Sequence, residues 1–338
     1  MHHHIVALER IHQPLPEFTF APPTTHTLTV YQRTEPEELH ERIRDATIII
    51  ITVVKIDADA LSPSVTPNLR LVAVMATGTD PVDLDACRKR GIRVTNCPAA
   101  NIESVSEHAI ALYFAARRRV VQLHNSILTE PSEWKAKNTL THLLRYKDGN
   151  CPLTCQDEFM GIIGYGSLGK RIAQLGIALG MTVLIAARKS PTDPSELPPS
   201  NHEDRVPFDE VLRRSTVLVL CLPRTPETLN LISTSELQSM SPHAILINIA
   251  RGGIVDEHAL VTALQKGWIA GAATDVLAVE PAKSVDDSPL LGEQAKELNI
   301  TVSPHLAWFS QRTMVNLSQI QKETVEGWVE GHEINVIV

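Results

Sequence analysis

Three charged residues in the second half of this chain stand where open sheets do their chemistry. Each follows an apolar run that reads as a strand: Ala244–Ile249 leads into Ala250-Arg251-Gly252-Gly253, Ile269–Val276 into Leu277-Ala278-Val279-Glu280-Pro281, and Asn299–Ser303 into Pro304-His305. Ligands bind outside the carboxyl ends of parallel strands, so Arg251, Glu280 and His305 are expected to face one crevice. Their types suit the reduction of a carbonyl. Hydride addition builds negative charge on oxygen, and histidine, with a reference pKa of about 6.5, is suited to protonate it. A carboxylate beside an imidazole favours the charged ring, and Glu280 supplies one. Arg251 offers a planar fork to a substrate carboxylate and a cation near the developing oxyanion. Singly, each of the three would more often be structural or surface than catalytic; their shared place at strand ends beside a cofactor loop makes the catalytic reading.

The hydride donor is implied by a glycine loop. Phe159–Ile163 reads as a buried strand, Gly164-Tyr165-Gly166-Ser167-Leu168-Gly169 follows, and a helix comes next with Leu168, Ile172, Leu175 and Leu179 on one face. In that order the first glycine permits a tight turn, the second lets a pyrophosphate approach the backbone at a helix N-terminus, and the third allows close helix packing. A second strand, Thr182–Ala186, ends where an acidic residue about 20 positions after the glycines would hold the ribose 2′-hydroxyl of NAD. Ala187 occupies that place and Arg188-Lys189-Ser190 follows. Two cations and a hydroxyl, with no carboxylate to repel a 2′-phosphate, favour NADP(H) over NAD(H).

Short β-like runs alternate with helical ones throughout, the pattern of parallel sheets with crossover helices. At 338 residues the chain exceeds what one core usually serves, so two α/β domains are expected. The first third alone carries candidate strands at Ile5–Leu8, Leu28–Tyr31, Thr47–Thr52, Leu71–Met75 and Ile92–Thr95. Helices are expected at Glu35–Arg44 and at Pro81–Arg90, the latter ended by Gly91. A long helix is expected from Ser104, because Ser104-Val105-Ser106-Glu107 has capping-box spacing. Glu130–Gln156 lacks any sustained period and marks a boundary, and Pro191–Pro199 reads as a loop.

Composition narrows the partners. Hydrophobic residues make up 43% and charged residues 21%, values of a folded globular chain. A net charge of −8 disfavours nucleic acid and anionic lipid, and the one tight basic run, Arg117-Arg118-Arg119, reads as a solvated face. The longest apolar run, Ile48–Val54, falls well short of the ~20 residues that cross a bilayer. The five cysteines form no even framework, so a reducing, cytoplasmic setting is expected. Cys151 and Cys155 have no second ligand pair nearby, and no metal is expected.

Together these residues resemble the D-2-hydroxyacid dehydrogenase family, nearest its hydroxypyruvate and glyoxylate reductase members. The resemblance spans about Leu71 to Val336. It rests on Thr77-Gly78-Thr79-Asp80, Asn101 through Glu107-His108, the Gly164 loop, Thr225-Pro226-Glu227-Thr228, Ile247 through Glu257, Asp275-Val276 with Glu280-Pro281, and Ser303 through Trp308. It implies a flavodoxin-like substrate domain, 1–123 with 308–338, and a Rossmann cofactor domain, 124–307, with the C-terminus returning to the first. It further implies that Arg251 binds the substrate, that His305 donates the proton and that Glu280 orients His305. Asp275 would hold the nicotinamide carboxamide, its other reading being a strand-end residue that caps a neighbouring turn, and Pro223, Ile249 and Ala250 would line the cofactor. Thr77 and Gly78 would grip the substrate carboxylate, or form a plain turn, and Trp308 would stand beside the substrate or equally be a packing aromatic. Cys221-Leu222-Pro223-Arg224 departs from the family's histidine-containing run, and Arg224 is either a phosphate contact or solvated. The expected activity is reduction of a small 2-oxo acid by a homodimer, dimers being the commonest assembly. The other reading is a nicotinamide-sensing corepressor of the same fold, against which stands the lack of a basic tail or long disordered extension.

Overall fold

The computed structural model describes residues 1–10, 14–189 and 205–338, which fall into two compact units, Met1–Asn101 with Phe309–Val338, and Ile102–Trp308. Ser190 and the Pro191–Pro199 loop lie outside the described residues.

The first unit is built on five parallel strands, β1 (His2–Ala7), β2 (Thr25–Val30), β3 (Ile48–Ile51), β4 (Leu71–Val74) and β5 (Arg93–Thr95), in the order β2-β1-β3-β4-β5. That is the flavodoxin-like order. The central β3 and β4 are apolar at every position and buried throughout, as a sheet covered on both faces requires, whereas the edge strand β2 is polar and exposed. The helix Leu84–Arg90 starts on Asp83, whose carboxylate accepts from Ala86 N, and stops at Gly91 with φ 67°. The chain returns to this unit at its end. The helix Gln311–Val329 buries Leu317 and Val325, and Val94 N donates to Val338 O at 3.0 Å.

The second unit holds six parallel strands, β6 (Phe159–Ile163), β7 (Thr182–Ile185), β8 (Val217–Leu220), β9 (Ile245–Asn248), β10 (Gly271–Thr274) and β11 (Ile300–Val302), in the order β7-β6-β8-β9-β10-β11. Val206 pairs with Ala186 as a parallel bridge outside β7, which completes the outer edge of a Rossmann sheet. The strand order reverses between β6 and β8, and the glycine loop leaves β6 at that point. β9, β10 and β11 run to the loops of Arg251, Glu280 and His305 respectively, side by side.

Three expectations change here. The division falls at Asn101/Ile102, not 123/124, because the long helix Ile102–Arg117 lays Val105, Ala109, Leu112, Tyr113 and Ala116 into one core with Ile162, Val219 and Ile247 of the second sheet. That helix begins two residues ahead of Ser104, so the expected capping box does not form; the Ser104 hydroxyl donates instead to the Trp308 carbonyl at 3.2 Å. Arg117 is not on a solvated face. Its side chain is 1% exposed, with Nε 2.6 Å and Nη2 2.9 Å from the two oxygens of fully buried Glu158. Its remaining N–H groups donate to Tyr146 Oη and to the carbonyls of His243 and Thr216 at 2.7–2.9 Å. The aperiodic stretch before β6 is thereby tied to the sheet at Tyr146 and Glu158.

Candidate active site

The glycine loop is shaped by contacts that only glycine allows. Gly164 has φ 95°, and a Cβ there would lie 2.5 Å from the Cys221 carbonyl oxygen at the end of the neighbouring β8. A Cβ on Gly169 would meet the Gly164 carbonyl oxygen at 2.1 Å, so the helix Ser167–Ala178 sits directly against the turn. Gly166, its N-cap, has no protein atom within 4 Å of a Cβ. Open backbone at the N-terminus of a helix is a place for an anionic diphosphate. Ser167 is exposed beside it, and Tyr165 and Leu168 pack partly onto the core beneath. Cys221 Sγ donates to the Gly164 carbonyl at 3.1 Å, and burial pushes its thiol up to about 12, so it supports the turn as a neutral group. Residues and geometry therefore fit a nicotinamide dinucleotide.

At the end of the neighbouring strand, Ala187 is half-buried after β7 and Arg188 is exposed. Lys189 is turned aside, with Nζ 2.9 Å from Glu236 Oε1. Pro223 is exposed after β8, whereas Ile249 and Ala250 are each only 6% exposed. Arg224 packs near Gly253, a Cβ on which would be 3.8 Å from its guanidinium.

The catalytic candidates lie on three adjoining loops of the second unit. Asn248, 5% exposed at the end of β9, holds the first: its Oδ1 accepts from Ala250 N at 3.1 Å and its Nδ2 donates to the Arg251 carbonyl at 3.1 Å. Arg251 Nη1 donates to the Ala250 carbonyl at 2.8 Å. Gly252 presses against the next loop so closely that a Cβ would lie 1.7 Å from the Leu277 carbonyl oxygen. In that second loop Glu280 Oε1 accepts from Leu277 N at 2.8 Å, and the buried Glu257 carboxylate accepts from Ala278 N at 2.7 Å. Glu280 Oε2 stands 2.7 Å from His305 Nδ1.

Burial works against the Glu280 carboxylate, yet the hydrogen bond and charge of His305, the Leu277 N–H and the Arg251 charge together hold its pKa below the ordinary 4.5. A carboxylate depressed in the folded state adds stability that is full above its unfolded pKa and is lost as pH falls through the lower native value. Melting curves of wild type and Glu280→Gln should therefore differ by a steady margin above about pH 4.5 that shrinks in acid. A margin that grows toward acid would contradict the assignment.

His305 carries φ 54°, uncommon for a residue with a side chain, and the structure around it fixes that geometry. His305 N donates to the Asp275 carbonyl at 2.7 Å, and Trp308 Nε1 donates to the His305 carbonyl at 2.9 Å. The Asp275 carboxylate, 2% exposed, accepts from Leu306 N at 3.1 Å, Ala307 N at 2.9 Å and Ser303 Oγ at 2.6 Å. His108 Nε2 lies 2.9 Å from the same Ser303 hydroxyl. Asp275 thus clamps the histidine loop, the turn-capping part that its strand-end position allowed. Asn248, Glu257, His108 and Ser303 were missed as positioning groups; their signal was polarity at the borders of apolar strands and helices. Thr77 and Gly78 follow β4 in the first unit, where Thr77 Oγ1 donates to the Cys97 carbonyl at 3.2 Å.

A glycine turn under a helix N-terminus at the switch of a doubly wound sheet, with an arginine and a histidine–carboxylate pair at neighbouring strand ends, defines a nicotinamide-dependent dehydrogenase. Residues 110–307 match the model of the D-isomer specific 2-hydroxyacid dehydrogenase, NAD binding domain. Glycerate dehydrogenase of Methylorubrum extorquens is 39% identical over 95% of this chain and 94% of that protein, and glyoxylate reductase of Aeropyrum pernix is 33% identical over 89% and 85%. The crystal structure of D-lactate dehydrogenase from Aquifex aeolicus, complexed with NAD and lactic acid, superimposes with a TM-score of 0.71 at 28% identity, covering 90% of this chain and 89% of that one. The chain belongs to the D-isomer specific 2-hydroxyacid dehydrogenase family, and it is an oxidoreductase that uses a nicotinamide cofactor.

Proposed function

We propose that this protein reduces hydroxypyruvate, glyoxylate or a similarly small 2-oxo acid with NADPH, His305 serving as general acid. The observation that carries the reading is the 2.7 Å bond from His305 Nδ1 to Glu280. With Nδ1–H given to the carboxylate, Nε2 is the nitrogen left to protonate the substrate oxygen. NADPH, when bound, supplies the hydride. Arg251, in the loop pressed against that of Glu280, pairs with the substrate carboxylate and stabilises negative charge on the carbonyl oxygen. Asp275 has backbone and hydroxyl partners already, and its proposed contact with the carboxamide is additional to them. The parts assigned to Thr77 and Gly78, backbone N–H groups on the substrate carboxylate, and to Trp308 rest on their motifs alone. Relatives named for glycerate, glyoxylate and hydroxypyruvate support substrates of two or three carbons.

The cofactor preference rests on Ala187 and exposed Arg188 at the end of β7. Arg188→Asp places a carboxylate beside the 2′-position and is expected to cut kcat/KM for NADPH by about tenfold or more, while that for NADH is held or improved. Equal losses with both cofactors would refute the preference.

A homodimer belongs to the same proposal. The helix Val120–Leu128 has no buried residue and leaves Val121 and Leu128 45% and 67% exposed, an apolar face suited to a second copy. Sedimentation velocity should find twice the 37.2 kDa chain mass, and a monomer at micromolar concentration would remove this part of the proposal.

A further inference from the structure

The structure assigns to Arg205, not to Lys189, the role of second cation for a 2′-phosphate, beside Arg188; the inference rests on the NADPH reading above. Two observations separate the candidates. Lys189 Nζ is 2.9 Å from Glu236 Oε1 and 5.7 Å from the centre of the Phe208 ring, so its charge is already matched. Arg205 does the opposite, its Nη1 donating to the Ala186 carbonyl at 3.1 Å.

The sheet register puts this guanidinium on the side that matters. Val206 pairs with Ala186 in a parallel bridge, with Val206 N donating to Ile185 O at 2.9 Å and Ala187 N to Val206 O at 2.8 Å. Side chains alternate between faces along a strand, so Arg205, one position before Val206, shares the face of Ile185 and Ala187. Ala187 is the residue standing where a ribose-binding acid would be, and its methyl group leaves that face low. A guanidinium anchored on the carbonyl just before it lies over this place. The single bond to Ala186 uses one of several N–H donors in the planar fork, and the rest can meet phosphate oxygens.

Arg205 is a binding residue in this view, so binding is the readout. Calorimetric titration with 2′,5′-ADP and with 5′-ADP separates the phosphate from the rest of the nucleotide. Losing a charge-assisted hydrogen bond corresponds to about a tenfold change or more. Arg205→Ala is expected to weaken 2′,5′-ADP by that factor and to leave 5′-ADP within about twofold, which also shows that the variant is folded. Lys189→Ala is expected to weaken 2′,5′-ADP less than Arg205→Ala does. An unchanged 2′,5′-ADP affinity in Arg205→Ala, an equal loss with both nucleotides, or a larger loss in Lys189→Ala would each overturn the assignment. Wild type that binds the two nucleotides equally well would instead sink the NADPH reading itself.

Discussion

Replacing His305 by asparagine is expected to lower kcat for hydroxypyruvate reduction by about 10²–10⁴-fold, the range that a positioned general acid supplies. Asparagine is the apt substitute because it tolerates the left-handed backbone that His305 adopts at φ 54°, so the loop and its bonds to Asp275 can persist. What disappears is the proposed proton donor at Nε2 and the partner of Glu280 at Nδ1. The loss should fall on kcat, since the donor acts where charge develops on oxygen. A variant impaired only in KM would assign His305 to ground-state binding.

The largest loss of stability is expected at Arg117 and Glu158. Removing either partner strands the other's charge in a site where the Arg117 and Glu158 side chains are 1% and 0% exposed, beside Tyr113, Tyr146 and the carbonyls of Thr216 and His243. Arg117→Ala or Glu158→Ala should each cost about 3–5 kcal/mol in urea unfolding. Arg117→Met combined with Glu158→Leu should recover part of that, because both charges then leave together. A cost below about 1 kcal/mol for the single variants, the size seen for exposed pairs, would contradict the burial on which the expectation rests.

Much of this fold can be read from local pattern. Apolar runs such as Ile48–Ile51 and Val217–Leu220 are buried at every position, and continuity of that kind specifies covered parallel strands without any knowledge of neighbours. The Gly164 loop is legible for the same reason, since turn, cap and packing glycine are all set within a few residues. Arg251, Glu280 and His305 were singled out because strand ends in such sheets are where ligands lie, and the structure places their loops on adjoining strands with Glu280 against His305. Pairings between distant residues were not legible. Nothing near Arg117 announces that Glu158 will meet it, or that Glu236 will pair with Lys189. The start of the long helix at Ile102 was missed because a good capping sequence at Ser104 competes on local grounds, while packing on the second sheet extends the helix upstream. Asp275 shows the limit most clearly. The resemblance implies a ligand contact and its strand-end place allows a turn cap, and only the folded loop reveals that its hydrogen bonds hold the histidine loop in place.

The central claim, that His305 with Glu280 protonates a 2-oxo acid as hydride arrives from the cofactor, is tested most directly by following the hydrogen. NADPH deuterated at the transferable position should convert hydroxypyruvate to D-glycerate bearing that deuterium at C2, and the yield should collapse in His305→Asn. Trace turnover of hydroxypyruvate and glyoxylate alike, unaltered by that substitution, would contradict it.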